Sequence, residues 1–414
     1  VRFATIAGVW LCVCLASAVR GADDDLVFIH HSCGQNWLDN SLHTALADKD
    51  YIDERNDIYY GVDVTPDTGR PDSLGGTPGD STDMNHWLMW FNDYLTNVTA
   101  HGCADGANRI IMFKSCYPNS AVWGEGTAPG DPFSSSFTIA NLKAVYSNAN
   151  AVDGTYTNGG YVYKPLEQVF SEHPEILFIP VTAPPLHECQ TSADDAARAR
   201  AFNHWLVHDW LSSYNANHPG FNNVAVYNWF GVLAFPSNSP QFPNQLRTNY
   251  APSYCDSHPN STANATSTYL FATGPTNFID AAWSAFYDQD VDTDGMPDRW
   301  ERVFFDSLTN MNASTDSDDD GMLDADEYLA GTGPTNDLER LIMSNAVTSA
   351  SGQWVVSWQS VTTRVYTLER STNLTAGFAT CAWDIHGCEL TTRYTDTVSA
   401  VGAAYRVLTA PKDR

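Results

Sequence analysis

Two residues separated by more than half of the chain offer reactive chemistry: Ser32, in Val27-Phe28-Ile29-His30-His31-Ser32-Cys33-Gly34, and His258, in Cys255-Asp256-Ser257-His258-Pro259. A serine hydroxyl is a weak nucleophile at neutral pH and needs a base within hydrogen-bond reach to take its proton. An imidazole titrates near the working pH and can serve as that base, while a neighbouring carboxylate such as Asp256 orients the ring and stabilises its charged form. Each residue also has a plainer role, Ser32 as a helix cap and His258 as a turn residue before proline. Position weighs between these roles. The apolar run 26–29 reads as a buried strand, and 36–47 as an amphipathic helix. Ser32 therefore falls at the carboxyl end of a strand, where α/β proteins gather their reacting groups.

The elements that must position these groups alternate along the chain. Strand patterns at 58–64, 109–113, 175–181 and 223–227 are interleaved with helical patterns at 85–95, from Leu142, at 193–215 and at 261–271. Such alternation implies right-handed crossovers and a parallel, three-layer α/β sheet. A Gly/Pro/Asp-rich loop at 65–83 follows the second strand, and Lys114-Ser115-Cys116-Tyr117-Pro118-Asn119 follows the third.

A serine after the first strand, Gly and Asn candidates after the next two, and an Asp/His pair late in the domain resemble the SGNH, or GDSL-type, hydrolase superfamily over residues 25–285. The resemblance implies a flavodoxin-like three-layer fold and acyl-ester hydrolysis through an acyl-serine intermediate. Carried onto this sequence, Ser32 matches the nucleophile, His258 the base and Asp256 the acid. Gly79 matches the oxyanion glycine, with Gly75 and Gly76 as rivals, and Asn119 the oxyanion asparagine, with Ser115 as a rival donor. The blocks depart from the family pattern. The first reads His-His-Ser-Cys-Gly in place of Gly-Asp-Ser, and Asp256 stands two residues before the histidine where the family's acid stands three.

Other residues near these blocks have two readings each. His30 and His31 either bind substrate or are satisfied in the core, since a strand alternates its faces. Lys114 either receives an anionic group or is a surface charge. Trp87, Trp90, Trp205 and Trp229 either line a carbohydrate site or build the core.

From Asp288 the composition changes. Asp290, Asp292, Asp294, Gly295, Met296, Asp298 and Glu301 occupy positions one, three, five, six, seven, nine and twelve of a loop, and Asp316, Asp318, Asp320, Gly321, Met322, Asp324 and Glu327 repeat the same register. Both resemble the EF-hand loop, in which alternate oxygens wrap a hard cation, glycine makes the sharp turn, and position seven supplies a backbone carbonyl. The pair also resembles the thrombospondin type 3-like calcium repeats that link domains of secreted proteins, which implies structural Ca2+ and no metal in the chemistry. Beyond Asp337 short alternating strands at 354–358, 365–369 and 404–407 suggest a small β-sandwich.

Residues 1–18, with Arg2, an apolar run at 4–15 and Ala16-Ser17-Ala18, read as a secretory signal. Export permits disulfides among the seven later cysteines: Cys381 and Cys388 are close enough to staple a hairpin, and Cys33 and Cys116 both follow strand ends. The charge of −28, from 49 acidic against 21 basic residues, argues against nucleic acid or an anionic membrane surface as partner. No later run is long and apolar enough to cross a bilayer. Asn97, Asn264 and Asn373 open Asn-x-Ser/Thr sequons. The expected organisation is a signal (1–18), a hydrolase-like domain (25–285), a calcium segment (286–337) and a β-sandwich module (338–414). The expected activity is a secreted serine esterase acting on O-acyl groups of a polysaccharide; a non-catalytic carbohydrate-binding or adhesion protein on the same fold is the alternative.

Overall fold

A computed structural model describes residues 25–49, 51–60, 82–103, 107–147, 154–287, 290, 292–305, 308, 311–348, 353–361, 364–388, 390–396 and 403–411. The expected signal at 1–18 lies outside the described residues. The chain divides into two compact units between Arg340 and Leu341, the acidic loops belonging with the α/β part.

In the first unit, β1 (Asp25–His30), β2 (Arg55–Tyr59), β3 (Asn108–Lys114) and β4 (Leu177–Val181) form a parallel sheet in the order β2-β1-β3-β4. All six residues of β1 are buried. Alternation splits them between two cores: Val27 and Ile29 join Ile111, Phe113 and Phe178 on one face, while Leu26 and Phe28 join Ile110, Met112 and Ile179 on the other. Each such side chain contributes roughly 1.5–3 kcal/mol on burial, and a strand that spends this on both faces needs helices on both sides of its sheet. Helices Trp87–Asp93, Ile139–Tyr146 and Ala193–His204 supply side chains to the first face. The second is covered from α1 (Cys33–Trp37), α2 (Ser261–Thr268) and Phe278–Tyr287.

The strand expected at 223–227 is realised only as isolated parallel bridges, Phe178 to Val224 and Val181 to Tyr227. Its backbone follows β4, with the Ala225 N–H on the Phe178 carbonyl at 3.0 Å and Tyr227 N–H on Pro180 at 2.9 Å. Pro180 has no N–H to give back, and the regular ladder breaks there. The second strand begins and ends earlier than the expected 58–64, and 61–64 lie outside the described residues. A hairpin, Tyr156–Asn158 with Tyr161–Tyr163, has no counterpart in the sequence reading.

Because β1 is flanked by β2 on one side and β3 on the other, the chain leaves β1 and β3 in opposite directions. That opens a crevice at their carboxyl ends.

The second unit is antiparallel throughout. Strands Met343–Thr348, Trp354–Ser360 and Leu390–Asp396 form one sheet, and Arg364–Ser371, Ala379–His386 and Ala404–Pro411 the other. Val356 and Trp358 from the first share a small core with Tyr366 and Leu368 from the second. Cys381 and Cys388, expected to be able to pair, are both free; the hydrogen bond of the Cys381 thiol is to the Leu368 carbonyl at 3.2 Å.

Trp37 joins the two halves of the α/β unit. It is fully buried, stacks on Trp229 with ring centres 4.7 Å apart, and donates its indole N–H to Thr268 of α2 at 2.9 Å. Trp37→Ala is expected to destabilise this unit by about 3–5 kcal/mol, read from the denaturant midpoint at unchanged m-value. A loss below about 1 kcal/mol would mean that the two halves do not depend on this contact.

Candidate active site

The turn after β1 is strained where the hydroxyl sits. Ser32 has φ 42° and ψ −95°, a region that costs a residue with a Cβ about 1–3 kcal/mol and persists only where its surroundings impose it. The Gly34 N–H bonds the His31 carbonyl at 2.9 Å and the Asn36 N–H bonds the Ser32 carbonyl at 3.0 Å, closing the first turn of α1. A Cβ on Gly34 would lie 2.5 Å from the Cβ of His30, so only glycine lets the turn fold back onto the strand end. His30 is fully buried 3.5 Å from Asp57, and burial pushes its pKa below the usual imidazole range. His31 is buried too, stacked on Tyr60 at 4.9 Å with Nδ1 on the Thr82 hydroxyl.

The structure brings His258 to this turn. Its Nε2 lies 2.6 Å from Ser32 Oγ, and its Nδ1 lies 2.8 Å from Asp256 Oδ1, which also accepts the His258 backbone N–H at 2.9 Å. With the Nδ1 proton directed at the carboxylate, the Nε2 lone pair faces the hydroxyl. Burial raises the Asp256 carboxyl, but the two hydrogen bonds from His258, joined by the charges of the His258 and His187 imidazoles, hold the group below its ordinary pKa. Asp256 thus remains an anion beside the ring. Spacing by two residues suffices because Asp256 bonds both the backbone and the ring of His258.

Several contacts fix this loop. Cys255 forms a disulfide with Cys189, anchoring the residue before Asp256 to the segment after β4. Ser257 is fully buried and its hydroxyl accepts the His187 N–H at 2.8 Å. Asn260 caps α2 through the Ala263 N–H at 3.0 Å, and Tyr117 sets its ring edge to face against His258 at 4.9 Å. Asn264, one of the sequon asparagines, is fully buried and donates to the carbonyls of Asn36 and Pro259 at 3.1 and 3.3 Å, which ties α1 to α2 and removes it from glycosylation. Of this scaffold the sequence displays only the cysteine beside Asp256. The hydroxyl and imidazole open onto a cleft of about 610 Å³ with Gln35, Asn36, Asn40 and Tyr59 in its wall.

Other expected site residues stand elsewhere. Gly79 and its rivals Gly75 and Gly76 lie outside the described residues. Asn119 is buried, its side-chain oxygen accepting the Met84 N–H at 2.8 Å and its amide donating to Asp83 at 2.6 Å. Ser115 accepts the Trp87 indole N–H at 2.9 Å. Lys114 has no exposure, so neither an anionic substrate nor solvent reaches it. Trp87, Trp90 and Trp229 are core residues, and Trp205 packs at the core's edge under Lys143. Cys33 and Cys116 are free, buried thiols with sulfurs 3.4 Å apart, close but unbridged.

The two acidic loops have one backbone plan. The Gly295 N–H bonds Asp290 at 2.9 Å and the Met296 N–H bonds Asp294 at 3.0 Å; the Gly321 N–H bonds Asp316 at 3.0 Å and the Met322 N–H bonds Asp320 at 2.8 Å. Gly295 and Gly321 have φ of 94° and 93°, a left-handed turn that favours glycine. Asp290, Asp292 and Asp294 converge, as do Asp292, Asp298 and Glu301, and Asp316, Asp318 and Asp320. Position twelve falls on helices Asp298–Phe305 and Asp324–Ala330. Glu301 is fully buried with neither carboxylate oxygen hydrogen-bonded among the described residues, and burial together with the surrounding aspartates pushes its pKa up to about 8; the same causes take Glu327 to about 7. A buried carboxylate with no donor is costly unless a cation completes it, and an all-oxygen set of this kind fits a hard divalent ion.

Among the described residues no helix is long and apolar enough to cross a membrane. The disulfide yields a direct test. Closing its 66-residue separation constrains the unfolded chain by about 4 kcal/mol in the loop-entropy account. Replacing both Cys189 and Cys255 by Ser is therefore expected to lower the melting temperature clearly, and an unchanged melting curve would exclude a bridge in the folded protein. Comparison with protein-family models, with curated proteins and with solved structures finds no match to this chain.

Proposed function

We propose that the chain is a serine ester hydrolase of the SGNH type. The observation that carries this reading is the hydrogen-bonded series Ser32 Oγ, His258 Nε2, His258 Nδ1 and Asp256 Oδ1, at 2.6 and 2.8 Å, opening onto a cleft. In the proposed cycle Ser32 Oγ attacks the ester carbonyl carbon while its proton passes to His258 Nε2. The tetrahedral oxyanion is held by backbone N–H groups, that of Ser32 among them. Its collapse breaks the carbon–oxygen bond, and His258 returns the proton to the departing alcohol. Water, its proton passing to the same ring, then attacks the acyl-serine carbonyl; collapse breaks the bond to Ser32 Oγ, which takes that proton from His258, and the acid is released. Asp256 fixes the ring's tautomer throughout.

The substrate class proposed is an O-acyl ester on a polysaccharide. Its support is the cleft wall, where the carboxamides of Gln35, Asn36 and Asn40 and the aromatic ring of Tyr59 offer neutral hydrogen bonding and a stacking surface, together with the strongly negative chain. The hard cation fitted to the acidic loops is proposed to be Ca2+, held by Asp290, Asp292, Asp294, Asp298 and Glu301, and by Asp316, Asp318, Asp320, Asp324 and Glu327, with the backbone carbonyls of Met296 and Met322. Bound there it supplies charge neutralisation and order, and takes no part in the acyl transfer.

Ser32→Ala is expected to cut hydrolysis of p-nitrophenyl acetate and of an acetylated polysaccharide by about 10³-fold or more with the melting temperature retained. Asp256→Asn is expected to lower kcat with little change in KM. A folded wild-type protein that turns over neither ester, or a Ser32→Ala variant with the wild-type rate, would falsify the reading. For calcium, chelation is expected to lower the melting temperature and Ca2+ to restore it, with the response removed in Glu301→Gln/Glu327→Gln. A melting curve indifferent to chelator and Ca2+ alike would sink that role.

A further inference from the structure

We propose that Lys114 is a positioning residue for the esterase chemistry, acting through the peptide bond between His31 and Ser32 to hold and polarise the Ser32 N–H as an oxyanion donor. This inference rests on the esterase reading above. Lys114 is the last residue of β3, which lies beside β1 in the sheet. Its side chain is fully buried, its ammonium donates to the His31 carbonyl at 3.2 Å, and it stands 5.9 Å from the centre of the Trp229 ring. The same carbonyl accepts the Gly34 N–H at 2.9 Å. Two donors on one oxygen leave that peptide plane little freedom to turn.

A trans peptide is planar, with its carbonyl and its N–H pointing in opposite directions. Drawing the His31 oxygen toward the buried ammonium therefore directs the Ser32 N–H away from it. Ser32 itself, at φ 42°, sits where a free chain would relax by rotating this peptide. The Lys114 hydrogen bond opposes that relaxation. It also acts electrostatically, because a cation on the carbonyl oxygen draws electron density from the amide and strengthens its N–H as a donor, and within a protein such polarisation is less screened than in water. Once Ser32 has attacked, the negative oxygen formed on the substrate is the group that gains most from both effects. The ground-state carbonyl, with little charge, gains less, so the contribution falls on kcat.

Burying an ammonium is costly, and an apolar side chain of the same length would fill this space without that cost. Function through the peptide accounts for a cation at a position that packing alone would fill with methionine.

The test compares wild type, Ser32→Ala, Lys114→Met and Lys114→Gln in hydrolysis of p-nitrophenyl acetate, and in inhibition by a trifluoromethyl ketone, whose serine adduct carries the oxyanion. Both Lys114 variants are expected to lower kcat by about 10- to 100-fold, less than or equal to the loss of one whole oxyanion donor, with KM changed less than about twofold. Ketone affinity should fall in parallel with kcat. A kcat within about threefold of wild type, or a loss that appears in KM while ketone affinity is kept, overturns the proposal. If both variants fail to fold, judged by circular dichroism and melting temperature, Lys114 is a structural fixture and the proposal is likewise overturned. Failure of the esterase reading is separately visible, as a wild type whose rate equals that of Ser32→Ala; the assignment of Lys114 then falls with it.

Discussion

The hydrogen bond between Ser32 and His258 spans 226 residues of chain, and the geometry of the α/β unit is arranged so that it can exist. Neither residue is placed by its neighbours in sequence alone. Ser32 is presented by a strained turn that survives because β1 is locked on both faces and on both edges. His258 is presented by a loop that a disulfide, a buried serine and a helix cap hold from three directions. A misplacement of either by an ångström would break the 2.6 Å hydrogen bond between the hydroxyl and the imidazole.

The parts of the molecule that look redundant in sequence serve this constraint. Trp37 and Asn264 both connect α1, which follows Ser32, to α2, which follows His258. One contact is apolar stacking with an indole hydrogen bond, the other a buried carboxamide bridging two carbonyls. Together they tie α1 to α2 at two points. The histidines before Ser32 belong to the same support. His31 is held by Tyr60 and Thr82, and His30 is the floor against which Gly34 closes. The dithiol of Cys33 and Cys116 lies within this packed layer, where burial pushes Cys33 up and the hydrogen bond between the two thiols pulls Cys116 down.

Charge is handled in two opposite ways. At the acidic loops many carboxylates are crowded together and Glu301 is buried with no donor among the described residues, an arrangement that is unfavourable by itself. Beside Ser32 a single ammonium, that of Lys114, is buried against the His31 carbonyl. In the first case like charges are gathered; in the second one charge is set against a backbone dipole.

What the sequence determined by itself is what short-range physics dictates. An uninterrupted apolar run of strand length announces a strand buried on both faces, which is why β1, β3 and β4 were legible within a residue or two. The loop register of the aspartates and glycines was legible because the turn geometry is encoded within twelve consecutive residues. Ser32 and His258 were legible as candidates because each sits in a local setting suited to chemistry. Tertiary structure alone decided the rest, because it depends on which distant segments meet. Sequence could not say that Cys255 pairs with Cys189, since five cysteines of one domain allow many pairings. The interior position of Lys114 was equally hidden: a lysine at a strand end is ordinarily solvated, and only the neighbouring β1 turn, brought alongside by the sheet order, offers it a carbonyl. Asn119 and Asn264 were read by their motifs, yet the packing of other elements over them fixed their amides on backbone and carboxylate partners. The regular fifth strand was lost to Pro180, whose missing N–H matters only once its neighbour in the sheet is known.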